Sequence, residues 1–121
     1  MTPEFGSGSG RQARLAASIR AELADVVARD VKDPRVHAAG LITFTRVDLS
    51  PDLRTARVFV SFSGDEAAGA AAVAGLTKAV GYIRGEVARR LSLRRAPDVK
   101  FIHDRTLEHV AKIDALLKEE P

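Results

Sequence analysis

Two strand-like runs joined by a short polar link sit between helix-forming stretches, and this arrangement most limits what the chain can become. From Gly40, the run LITFTRVDL is dense in β-branched and aromatic residues. Its alternation changes phase, from Ile42 and Phe44 to Val47 and Leu49, which predicts a bulge near Thr45-Arg46. Ser50-Pro51-Asp52-Leu53 is a turn signal. Beyond it Ala56, Val58, Val60 and Phe62 alternate with Arg57, Phe59 and Ser61, giving a second strand with one apolar face. Together the runs predict a hairpin.

Helical periodicity surrounds it. Leu15, Ile19, Leu23, Val26, Val27 and Val31 recur at helical spacing, which predicts an amphipathic helix from about Arg11 to Val31. Asp33-Pro34 ends it, because a proline ring disfavours helical geometry at the residue before it. After the hairpin, Asp65 is placed to cap an Ala-rich helix running to about Leu91. A short third strand, VKFIH, follows Pro97. Asp104 or Thr106 then caps a last helix carrying Leu107, Val110, Ile113 and Leu117. The order α-β-β-α(-α)-β-α describes an α+β domain, and 121 residues suffice for one such domain. Residues 11–117 are read as that domain and 118–121 as a tail. The opening MTPEFGSGSG, residues 1–10, reads as an expression scar and a disordered Gly/Ser linker.

Within the Ala-rich stretch, Val73, Leu76, Val80, Ile83, Val87 and Leu91 form one apolar stripe that should pack on the sheet. Gly81, Gly85, Lys78 and Arg89 project from a different side. Two glycines inside a helix cost about 1 kcal/mol each relative to alanine. They are explained by a kink or tight helix packing, or by a nucleic-acid backbone approaching a bare surface.

Charge concentrates in the same place. Residues 78–100 hold seven Lys and Arg against Glu86 and Asp98, while the rest of the chain holds 12 against 14. A charge run is often only a solvated helix face. The density of Arg89-Arg90 and Arg94-Arg95 favours a polyanionic partner, because arginine forks match phosphate oxygens and clustered cations release counterions. Tyr82 is the only aromatic in this patch and Trp is absent, so backbone and shape recognition is expected rather than base stacking on a sheet.

Other chemistries find little support. Without Cys there is no disulfide, thiolate metal site or cysteine nucleophile, which fits a reducing compartment. No apolar run approaches the ~20 residues that span a bilayer, so a cytosolic protein without a membrane role is expected. His37, His103 and His109 have neither a helical zinc-pair spacing nor a nucleophile motif beside them. Neither catalysis nor a cofactor is indicated.

The chain resembles the ribosome-binding factor A family over nearly all of Arg11 to Leu117. The resemblance is carried in order by Asp33-Pro34-Arg35, Thr43-Phe44-Thr45-Arg46-Val47, Leu49-Ser50-Pro51-Asp52-Leu53 and Ala56-Arg57-Val58-Phe59-Val60-Ser61. Gly81-Tyr82-Ile83-Arg84, Leu91-Ser92-Leu93-Arg94, Ala96-Pro97, Phe101-Ile102-His103-Asp104 and Ile113-Asp114-Ala115-Leu116-Leu117 continue it. It implies a KH-like fold of type II order, α-β-β-α-α-β, plus a C-terminal helix. An Ala-x-Gly kink, matched by Ala79-Val80-Gly81, would replace the usual GxxG loop. It also implies a non-enzymatic assembly factor, monomeric when free, that binds the immature small ribosomal subunit and its rRNA near the developing decoding region. Ribosomal proteins are further contacts on this reading. The family supports late maturation and rRNA processing and is linked to growth in the cold. The RNA-binding residues implied are Lys78, Ala79, Val80, Gly81, Arg84, Arg89, Arg90, Arg94 and Arg95, with Arg11 and Arg14 as weaker members. The rival readings are a generic single-stranded nucleic-acid-binding KH-type module, and a domain whose arginines meet an acidic protein.

Overall fold

The apolar stripe of the first helix is buried where its spacing requires. In the structure, a computed structural model describing residues 10–105, α1 spans Gly10–Asp30, with Ile19, Leu23, Val26 and Val27 in the core. The last helix expected around Leu107 to Leu117 lies outside the described residues, as does the opening segment up to residue 9.

Asp33-Pro34 is more than a stop. Pro34 begins a five-residue helix, α2 (Pro34–Ala38), where the sequence marked only the end of the first helix. Proline suits a first helical position, because its missing N–H would have no partner there. Asp33 caps it, accepting from the Arg35 amide at 3.0 Å, and its other carboxylate oxygen meets the Arg35 guanidinium at 2.8 Å. Val36 is fully buried by this turn, against α3 (Glu66–Lys78). Close contact is possible because Gly75 lacks a Cβ, which would lie 3.0 Å from the Val36 side chain.

The hairpin forms as its patterning implies. Strands β1 (Ile42–Leu49) and β2 (Thr55–Phe62) pair antiparallel, and the register shifts between Phe44 and Arg46, the expected bulge. That shift is what changes the phase of alternation along β1. The turn between them is tied by Ser50, whose Oγ donates to Asp52 Oδ1 at 2.6 Å and accepts from the Thr55 amide at 3.0 Å. Along β2, Ala56, Val58, Val60 and Phe62 are all buried while the alternate positions are half-exposed.

Strand β3 (Asp98–His103) lies parallel to β2, which is therefore the central strand in the order β1-β2-β3. A parallel return needs a long crossover, supplied by α3 and α4 (Val80–Arg90). Asp65 caps α3 as expected, accepting from the Ala68 amide at 2.8 Å. Helices α1, α3 and α4 place Leu23, Leu76 and Ile83 in one core with Leu49, Val58 and Phe101 of the sheet. The architecture is α+β, with the order α-α-β-β-α-α-β among the described residues.

Candidate nucleic-acid interface

The Ala-rich helical run is interrupted at Ala79, where the backbone opens to φ −89°, ψ 3°. The Ala79 amide is shared between the carbonyls of Gly75 at 3.2 Å and Leu76 at 3.1 Å, and its own carbonyl accepts from Ile83 at 3.1 Å. Hydrogen bonding thus passes through the break, and so does the apolar phase. Leu76, Ile83 and Val87 are buried on either side of it, with Val73, Val80 and Leu91 packed around them.

On the outer side, Gly81 and Gly85 are bare. A Cβ added to either would meet no described residue within 4 Å. Close packing against another described element therefore does not account for them, although both forgo the helix propensity of alanine.

The arginines fall into two groups. Arg84 and Arg90 are committed to the fold. Arg84 donates to the carbonyls of Pro97 at 2.8 Å and Ala96 at 3.1 Å and pairs with Asp98 at 3.0 Å, fixing the entry to β3. Arg90 pairs with Asp25 at 2.6 Å and Glu22 at 3.2 Å on α1, and with Glu86 at 3.2 Å on its own helix. These carboxylates hold the Arg90 guanidinium well above its ordinary pKa. Arg89 pairs with Glu86, whose carboxyl is lowered by Arg89 first and Arg90 second. Sequence reasoning missed Glu22 and Asp25 as partners, since they lie on another helix with no local signal linking them to the patch.

Lys78, Arg94, Arg95, Arg11 and Arg14 form the second group. Each is exposed, and none makes an ion pair with another described residue. Arg94 and Arg95 are presented by a Schellman-type helix end. The Ser92 amide bonds the Arg89 carbonyl at 3.3 Å, the Leu93 amide bonds the Ala88 carbonyl at 2.9 Å, and Ser92 adopts φ 53°. A left-handed serine takes the place usually filled by glycine, and the chain turns sharply after α4.

Pairing of Arg90 with Glu22 and Asp25, and of Tyr82 with Asp30, runs α4 antiparallel to α1. The C-terminal end of α4 therefore points toward the end of α1 that carries Arg11 and Arg14. Lys78 stands at the opposite end, about 16 Å away along the 11-residue helix. Lys78 thus precedes α4, and Arg94 and Arg95 follow it. Phe59, on the far face of the sheet, is covered by the Arg46 guanidinium 4.2 Å from its ring centre. That ring is not an open stacking platform. Among the described residues no group of three His, Asp or Glu side chains converges as a metal site, and no helix is long and apolar enough to cross a membrane.

Comparison with known proteins agrees with this architecture. The family model described as ribosome-binding factor A matches residues 11–117. The ribosome-binding factor A of Brevibacillus brevis is 44% identical over 109 residues, covering 90% of this chain and 88% of its own. The solution NMR structure of a putative ribosome binding factor A from Thermotoga maritima superposes with a TM-score of 0.71 at 34% identity, covering 84% of this chain and 94% of its own. A homology model of the Thermus thermophilus protein, fitted into a cryo-EM map of its complex with the 30S subunit, superposes with a TM-score of 0.63 at 30% identity. It covers 77% of this chain and 94% of its own. With the family model matching residues 11–117 and a relative 44% identical over 90% of this chain, the chain belongs to the ribosome-binding factor A family.

Proposed function

We propose that this protein is a non-enzymatic ribosome-assembly factor that binds the immature small ribosomal subunit and its rRNA and supports late maturation and rRNA processing, with greatest importance in the cold. It acts in the cytoplasm as a monomer when free, with ribosomal proteins as further contacts. The domain is KH-like, and the interruption at Ala79-Val80-Gly81 takes the place of a GxxG loop. Lys78, Arg94 and Arg95 provide direct phosphate contacts at the two ends of α4, and Arg11 and Arg14 extend the second end. Arg84, Arg89 and Arg90 face the RNA from side chains that also hold the surface together.

One observation carries this reading. In a chain of this family, exposed cations without ion-pair partners flank a helix side whose two glycines meet nothing, both among the described residues. Clustered cations of this kind bind polyanions with strong salt dependence. The 30S complex of the Thermus thermophilus relative supports the small subunit as the partner.

Sedimentation of cell extract at low and high salt tests it. Salt-sensitive co-migration with free small subunits, and not with assembled ribosomes, is expected. Absence of co-migration at low salt would overturn the proposal. Tight binding to short unstructured oligonucleotides, with no preference for small subunits, would favour a generic single-strand-binding module instead.

A further inference from the structure

We propose that the groove between the end of α1 and the α3–α4 junction is a slot for one unstacked RNA base, with Tyr82 as its stacking platform and Lys78 as its phosphate contact. This inference rests on the RNA-binding reading above and adds a single-stranded requirement to it. The groove has a volume of about 280 Å³, and its lining includes Asp30, Lys32, Asp33, Lys78, Ala79 and Tyr82. That is slightly below the ~300–1,000 Å³ typical of drug-sized ligand pockets. It suits one base with its ribose better than a length of duplex.

Tyr82 is the feature that selects a base. Tyr82 is 54% exposed, which leaves much of its ring open to a stacking partner. The ring is also held in place, because its O–H donates to Asp30 Oδ2 at 2.8 Å across from α1. A platform fixed before binding loses little rotamer freedom when a base stacks on it. Every base has a π-face, so such a platform tolerates sequence.

The charges around the ring sort the parts of a nucleotide. Asp30 and Asp33 line the groove and keep phosphate from its interior, while the exposed Lys32 and Lys78 of the same lining leave the cations for its rim. Both oxygens of Asp33 are occupied by Arg35. Asp30 uses one oxygen for Tyr82, and the other, which bonds no described side chain, can accept from a base amino or imino group. Lys78 is exposed at the groove and has no ion pair with another described residue, which suits a phosphate at the rim. Bases held within a duplex cannot reach such a slot without leaving their stack, so the partner is a single-stranded segment, bulge or loop.

Composition supplies a direct readout. Tyr82 is the only tyrosine and the chain has no tryptophan, so intrinsic emission from the protein reports on this one ring. The experiment titrates the protein at low salt with deproteinised small-subunit rRNA, and separately with inorganic polyphosphate, while anisotropy of labelled RNA follows binding. The rRNA is expected to quench Tyr82 emission as it binds, beyond its absorbance correction, and polyphosphate is expected to bind without quenching. Tyr82→Ala should weaken rRNA binding by roughly 5- to 150-fold, the equivalent of one lost stack. Tyr82→Phe should keep most of the affinity. Binding with unquenched emission, quenching by polyphosphate, or undiminished binding by a folded Tyr82→Ala would each overturn the slot and leave RNA binding standing. If neither the wild type nor Tyr82→Phe binds rRNA or small subunits, RNA binding itself fails and the slot falls with it.

Discussion

The Arg90 guanidinium lies 2.6 Å from the carboxylate of Asp25, so one of the four clustered arginines fastens α4 to α1. Glu22 on α1 and Glu86 on α4 complete its surroundings, and its side chain is only 22% exposed. Arg94 and Arg95, a few residues further on, are exposed without such partners among the described residues. Adjacent pairs of the same residue type have acquired different work.

Arg90→Gln should therefore lower the thermal unfolding midpoint, because it leaves three carboxylates without their shared cation. Arg94→Gln and Arg95→Gln should leave that midpoint unchanged. Calorimetry of the three variants checks this, and an equal effect at all three positions would contradict this division of roles.

Binding should show the reverse order. The Arg94→Gln/Arg95→Gln double variant is expected to weaken small-subunit association and to flatten its dependence on salt. Each lost phosphate contact removes roughly 0.7–0.9 from the slope of log K against log salt. Association measured over a salt series gives the slope directly, and an unaltered slope would place the phosphate contacts elsewhere.

Two glycines of the crossover helices should respond oppositely to one change. A Cβ on Gly69 would lie 2.5 Å from the His103 ring, which itself packs edge-on against Phe62 with centroids 5.4 Å apart. Gly69→Ala should cost about 1–3 kcal/mol through overpacking. Gly85→Ala meets no described residue within 4 Å and should gain up to about 1 kcal/mol from helix propensity. Urea unfolding distinguishes the signs. If the bare side of α4 faces RNA, the more stable Gly85→Ala protein should also bind subunits less well.

Acid should destabilise the fold in a defined window. Arg35 holds the Asp33 carboxyl down to about 2, first through its side chain and then through its amide. An unfolded aspartate titrates near ~3.9. A depressed folded value contributes stability that is complete above the unfolded value and is lost as pH falls through the folded one. Stability should therefore decline between about pH 4 and pH 2. Asp25, Asp52 and Glu86 are lowered as well and act in the same direction. Asp33→Asn keeps a good helix cap but should make the decline shallower in urea titrations at stepped pH. Identical slopes in the two proteins would remove Asp33 from the account.

Much of the fold was legible because its signals are local. The bulge at Thr45 is written in the changed phase of β1, and the Asp65 cap stands directly before its helix. The short α2 was not legible, since Pro34 reads as a helix stop from its effect on Asp33 and as a helix start from its own geometry. At the candidate interface, composition located the basic stretch and its glycines. It could not show that Tyr82 is pinned to Asp30, because those residues are 52 positions apart.

The sequence by itself determined which residues turn inward. Periods of two and of 3.6 residues follow from backbone geometry, and Val58, Val60, Leu76 and Ile83 are buried as those periods require. Only the tertiary structure decided which cations remain available. Whether an arginine is paired depends on carboxylates brought beside it from elsewhere in the chain, and those that neutralise Arg90 from α1 lie 65 and 68 positions away. Composition counts such charges, and folding pairs them.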